Sequence, residues 1–166
     1  MRALKNKNGF TLIEVMIAII LVGLAIASLV GANSAFTQAN GAGTDLSTAE
    51  FLLEQIKELT ATLPVVDPTT TTTTTTFGPE GSETLPTYND LDDFDNMTFS
   101  PPIDASRNTL SNFASFSQQV IVQKVNPSDF EQVESDSYDT NFYRVTVKVL
   151  QNSVEICSSS WLRARY

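Results

Sequence analysis

The chain has 166 residues, room for one domain beside an apolar segment, and its 19 acidic against 10 basic side chains leave a net charge of −9. An acidic chain repels phosphate backbones, so no nucleic-acid partner is indicated. Histidine is absent and Cys157 is the single cysteine, which removes the usual general base, a histidine- or thiolate-based metal cluster and any intramolecular disulfide; with no phosphate loop or dinucleotide fingerprint either, the chain reads as no enzyme.

Arg2, Lys5 and Lys7 form a short basic head, followed by Gly9-Phe10-Thr11-Leu12-Ile13-Glu14 and then by 18 uncharged residues from Val15 to Ala32. That run is just long enough for a membrane-spanning helix, and the basic head keeps its own end cytoplasmic while the rest goes outside. Glu14 is the anomaly, because an acidic residue deep in hydrocarbon costs roughly 2.5 to 3.5 kcal/mol and still some of that at the edge. A cut after Gly9 would give Phe10 a free amino group with a pKa of about 7.7 to 8.0, a cation for Glu14 to meet. Within one chain the two lie at i and i+4; between staggered neighbouring chains the same pair would be worth about 4 kcal/mol before desolvation, at an effective dielectric of about 20 and a separation of about 4 Å. The carboxylate would then set the axial register of assembly.

Gly9-Phe10-Thr11-Leu12-Ile13-Glu14-Val15, behind a basic leader and ahead of an apolar helix, resembles the type III signal of type IV pilins and type II secretion pseudopilins. The resemblance implies cleavage after Gly9 by a prepilin peptidase, N-methylation of Phe10, and Glu14 as the assembly carboxylate. It also implies a long helix laid on a small antiparallel sheet. Gly31 stands where many of these proteins carry a kinking proline, and the disulfide that often staples their C-terminal region is absent. An ordinary export signal fits less well, since its apolar region runs to 7 to 15 residues.

Beyond Ala32, Gly41 and Gly43 predict a weak or bent segment at 40–43, with Thr44 or Asp45 available to recap the helix. Leu46, Ala49, Leu53, Ile56, Leu59 and Leu63 then form a helical stripe opposite Glu50, Glu54, Lys57 and Glu58, and Pro64 ends it. The expected organisation is a leader at 1–9, a transmembrane or filament-core helix at 10–32, an amphipathic continuation at 33–63 and a head at 64–166.

The head opens with a long loop, 64–112. Thr69 to Thr76 is an unbroken threonine run with no apolar area to bury, an extended exposed tract and a candidate for O-glycosylation. Asp90, Asp92, Asp93 and Asp95 offer dense hard-oxygen donors that suit Ca²⁺, although the spacing is not that of an EF-hand; a solvated acidic loop is the plainer reading. Bound calcium in similar loops of pilin-like proteins adds to the metal reading.

Strands are expected within 113–160. Gln119 to Val125 is one, Asn126 to Asp129 a turn, and Glu131 to Asp139 an exposed acidic loop. Val145, Val147 and Val149 alternate inward against Arg144, Thr146 and Lys148, and Gln151-Asn152-Ser153 turns the chain into Val154 to Ser158. Cys157 is expected to be buried there as a small hydrophobe.

The fold class is therefore α+β, pilin-like. The function expected is a structural subunit of a type IV pilus or type II secretion pseudopilus, of the minor kind, seated in a bacterial inner membrane. Its partners would be other pilin subunits, a prepilin peptidase, an inner-membrane assembly platform and, before assembly, membrane lipid; no cofactor is required apart from candidate Ca²⁺. The alternative is a monomeric membrane-tethered binding module, calcium-dependent if the aspartates are ligands.

Overall fold

A computed structural model describes residues 9–67, 77–81 and 83–165. The leader residues Arg2, Lys5 and Lys7 and the Thr69 to Thr76 run lie outside these described residues. By its contacts the chain divides after Thr44 into two compact units.

One helix, α1 (Leu12–Ala61), crosses that division without interruption. Up to Thr44 every described residue is exposed, including Ile13, Ile17, Leu21, Leu24 and Leu29. Among the described residues this is the one helix long and apolar enough to cross a membrane. The bend expected at 40–43 is not a break: α1 runs on through Gly41 and Gly43. Two glycines weaken a helix by about 2 kcal/mol together, whereas propagation from helix already formed on both sides needs no new nucleus. Thr44 accordingly does not recap anything; its hydroxyl donates back to the Asn40 carbonyl at 3.1 Å.

In the second unit α1 buries Ala49, Leu52, Leu53, Ile56 and Leu59. The stripe is wider than the sequence pattern by Leu52, while Leu46 is left 43% exposed. A helix lying on a sheet needs an apolar arc of about 100° or more, and Leu52 beside Leu53 supplies it.

The sheet is antiparallel, with β1 (Thr98–Phe99), β2 (Phe116–Asn126), β4 (Phe142–Gln151) and β5 (Val154–Ala164) side by side and β3 (Asp129–Val133) paired to the end of β2. Tyr143, Val145, Val147 and Val149 alternate into the core, facing Val120 and Val122 of β2. Asn152 and Ser153, both with positive φ (49° and 69°), form the two-residue loop between β4 and β5. Positive φ at both central positions gives a turn whose twist matches that of the strands.

Two differences from the sequence reading stand out. Glu131 to Val133 belongs to β3 rather than to a loop, because the Asn126–Asp129 turn folds it back on β2; its residues nonetheless stay exposed. The region 64–112 also contributes to the core, through Tyr88, Leu91, Phe94 and Ile103.

Side chains tie these layers to backbone. Gln118, fully buried, donates from Nε2 to the carbonyls of Leu52 (2.7 Å) and Ile103 (3.1 Å) and accepts from the Ile103 amide at Oε1 (2.8 Å). Arg163 on β5 donates to the Thr60 and Leu63 carbonyls, each at 2.7 Å. The last turn of α1 holds no basic residue of its own, so Arg163 satisfies and neutralises the helix C-terminus from across the fold. Replacing Arg163 by Ala is expected to lower stability by about 2 kcal/mol or more, with Lys restoring less than half because a point donor does not span both carbonyls. Urea unfolding of the full-length protein in detergent checks this, and unchanged stability in Arg163→Ala contradicts it.

Candidate functional site

Gly9 and Phe10 lie ahead of α1 in exposed, non-helical chain, and the Phe10 side chain is 90% exposed. The peptide bond between them is accessible. Thr11 is the cap of the helix: its amide donates to Glu14 Oε2 at 2.7 Å, its hydroxyl donates to the same oxygen at 2.8 Å, and the Glu14 amide donates to Thr11 Oγ1 at 3.3 Å. This is the reciprocal capping box of a Thr-x-x-Glu sequence, a signal carried by residues 11 to 14 themselves. It fixes the carboxylate at the positive end of the helix dipole. From the described residues Oε1 of Glu14 accepts no hydrogen bond, so one oxygen holds the cap and one remains for a second donor.

The acidic loop is built differently. A turn in which Gly81 adopts positive φ (60°) lets the Glu83 amide donate to the Glu80 carbonyl at 3.1 Å. A one-turn 3-10 helix, Asp92–Phe94, follows and sinks Phe94 into the core. With Leu91 and Phe94 anchored, Asp90, Asp92 and Asp93 are carried inside and are fully buried. Asp93 Oδ2 accepts from the amides of Asn89 (2.8 Å) and Asp90 (3.3 Å), and Asp90 Oδ1 accepts from the Asp93 amide (3.2 Å). Among the described residues, no donor group reaches the opposite oxygens, Asp90 Oδ2 and Asp93 Oδ1, either oxygen of Asp92 or Oε2 of Glu83, while the carboxyls of Asp90 and Asp92 lie close enough to share a proton.

Three of these acidic groups converge: carboxylate oxygens of Glu80, Asp90 and Asp93 lie within 4.8 Å of one another. The electrostatics follow from that crowding. Loss of solvent, then the charges of Asp90 and Asp93, push Glu80 up to about 7. Burial first, and then Asp90 alongside, push Asp92 well above the carboxylate range, and burial raises Asp90 too.

Of the four aspartates singled out in the sequence, Asp95 stands apart. Its Oδ1 accepts from the Val122 amide at 2.7 Å and its Oδ2 from Asn96 Nδ2 at 2.6 Å. Asp95 thus pins the loop to β2, and Glu80, ten positions upstream of Asp90, joins the cluster in its stead. No local spacing reveals Glu80, because the chain between it and Asp90 has to fold back first. Cys157 sits on β5, partly buried, and burial pushes its thiol up, away from the reactive thiolate.

Arg107 holds the near side of the loop, donating to the carbonyls of Leu85 (3.2 Å), Pro86 (2.9 Å) and Tyr88 (2.7 Å). Arg107→Ala is expected to cost about 2 kcal/mol and to speed amide exchange at Asn89 and Asp90 more than at β4. Hydrogen exchange by mass spectrometry checks it; uniform protection unchanged from the parent contradicts it.

In comparisons with known proteins, the family model of the prokaryotic N-terminal methylation motif matches residues 4–30. No curated protein and no solved structure is significantly similar to the chain. The motif implies processing by a prepilin peptidase and assembly with other pilins, and it points to a membrane-anchored structural subunit. Basic leader, exposed Gly9–Phe10 bond and a glutamate-capped apolar helix thus make the N-terminus of this chain a type IV prepilin-like signal.

Proposed function

We propose that this protein is a pilin-like subunit, a minor one, that waits in a bacterial inner membrane with its head outside the cytoplasm, is cut after Gly9 and methylated on Phe10, and enters a type IV pilus or type II secretion pseudopilus. One observation carries the reading: at the start of an apolar helix with no cover in its own unit, Glu14 keeps one carboxylate oxygen for the cap and leaves the other without a donor. An amine created on Phe10 of an adjacent copy supplies that donor together with a positive charge. The apolar faces from Leu12 onward then pack helix against helix, in exchange for the lipid they leave.

Buried between helices, the amine and carboxylate attract strongly only while both are charged and in contact, so the pair specifies register more than it adds net stability. The other partners in this reading are the peptidase and an inner-membrane assembly platform. The monomeric tethered binder makes no use of Glu14 outside its own cap.

Glu14→Gln separates the two. Glutamine keeps the capping geometry and removes the charge, so helix start, membrane insertion and cleavage are expected to persist while incorporation into filaments falls at least tenfold. Glu14→Ala loses the cap as well. Immunoblotting of sheared filaments against membrane fractions reads the outcome, and filaments that accept Glu14→Gln at the parental level contradict the proposal.

A further inference from the structure

On one side the sheet ends in a strand whose outer edge pairs with no described residue. β5 runs for 11 residues, Val154–Ala164, and its only ladder among the described residues is with β4. No backbone hydrogen bond from elsewhere in the described chain reaches its other side. In an antiparallel pair alternate residues turn both backbone groups to one neighbour, so about half of β5 offers its N–H and C=O groups outward. We propose that this edge docks a basic, extended segment of another protein, which adds to the sheet as a further strand beside β5.

Edges of this kind are normally blunted by shortness, proline, lysine or a bulge, because a bare row of backbone groups is a template for pairing. The opposite side of the sheet follows that rule with β1, which has only 2 residues. β5 does not. It contains neither proline nor lysine, and the consecutive serines Ser158 to Ser160 leave its centre without bulk. Its charges are engaged within the fold: Glu155 pairs with Lys148 of β4 at 3.2 Å, and Arg163 donates to the carbonyls at the end of α1. From Cys157 to Ala164 the register with β4 runs without a shift, so no bulge turns this stretch away from a partner.

The chemistry of the edge selects the partner. On its helix side it opens into a groove of about 370 Å³, walled by Glu50, Leu53 and Glu54 of α1 and by Cys157, Ser158 and Ser159 of β5. Leu53 and Cys157 give a small apolar contact, and the carboxylates set the sign. Lys57 answers Glu54 at 2.9 Å, whereas the exposed Glu50 has no ion pair among the described residues. Burial raises the Cys157 thiol, and the charges of Glu50 and then Glu155 add to it, so both carboxylates face the same stretch of strand. A segment bearing lysine or arginine meets attraction here, and one bearing aspartate or glutamate meets repulsion. A second copy of this chain is a poor occupant, because its net charge of −9 and its own Glu50 and Glu155 would be set against these.

The test uses the full-length protein in a non-ionic detergent, with Trp161, the single tryptophan, as a reporter on β5 itself. The probe is a peptide of alternating lysine and valine, blocked at both ends and as long as β5. It is expected to change Trp161 fluorescence saturably and to slow amide exchange in 154–164 while β2 is unaffected, since only the outer edge gains hydrogen bonds. A peptide with glutamate in place of lysine is expected to bind at least about tenfold more weakly. Glu50→Gln, an exposed change that leaves the core intact, is expected to weaken binding of the lysine peptide about threefold. The assignment is overturned by exchange in 154–164 that stays unchanged at saturation, or by equal binding of the glutamate peptide or of a lysine peptide whose central valines are proline. Tighter binding of a peptide copying Val154–Ala164 overturns it too, by making a second copy the occupant. None of these outcomes bears on Glu14, whose role is read in filament incorporation.

Discussion

A carboxylate at the mouth of an apolar helix needs its charge answered, and the rest of the N-terminal half follows from how that is done. Thr11 supplies two donors and the helix dipole supplies a positive end, so Glu14 is held in place before any partner arrives. What the cap leaves over is an oxygen at a chain start whose neighbouring peptide bond is exposed. The same glutamate therefore begins the helix and marks the position at which a new amine becomes useful.

The helix itself meets two environments. Through Val30 it presents isoleucine, leucine and valine on all sides, the composition of a segment solvated by lipid or by other helices, and from Gly31 to Thr44 it turns small and polar while staying exposed. From Asp45 its apolar residues gather to one face and close over a sheet. With no disulfide, that second unit relies on polar side chains reaching backbone across long sequence distances. Gln118 joins β2 to α1 and to the loop at Ile103, Arg163 ends α1 from β5, and Gln151 Nε2 reaches Asp45 Oδ1 at 3.0 Å. Buried groups of this kind hold one arrangement of layers against others because any slip leaves a donor or acceptor bare.

Much of this was legible in the residues. The alternation of Val145, Val147 and Val149 fixes which face of β4 is inward, and the Ala49–Leu53–Ile56 spacing fixes the buried side of α1, since both are local periods of known geometry. What stayed hidden depends on non-local closure. β3 is exposed on both faces and has no apolar alternation to betray it; it forms because a tight turn delivers it to β2. The helix through Gly41 and Gly43 is sustained by its flanks, which a residue-by-residue propensity does not weigh. In the acidic loop the run of aspartates was visible, but their division of labour was not: Asp95 turns to the Val122 amide, and Glu80 arrives by a glycine turn from the far side of the loop.

A cut after Gly9 would create the cation that Glu14 is placed to meet. Intact-mass and N-terminal fragment spectrometry of the protein purified from membranes tests it most directly. The expected mature chain begins at Phe10 with a methylated amino group. A chain still beginning at Met1, or one trimmed beyond Ala32, would contradict it.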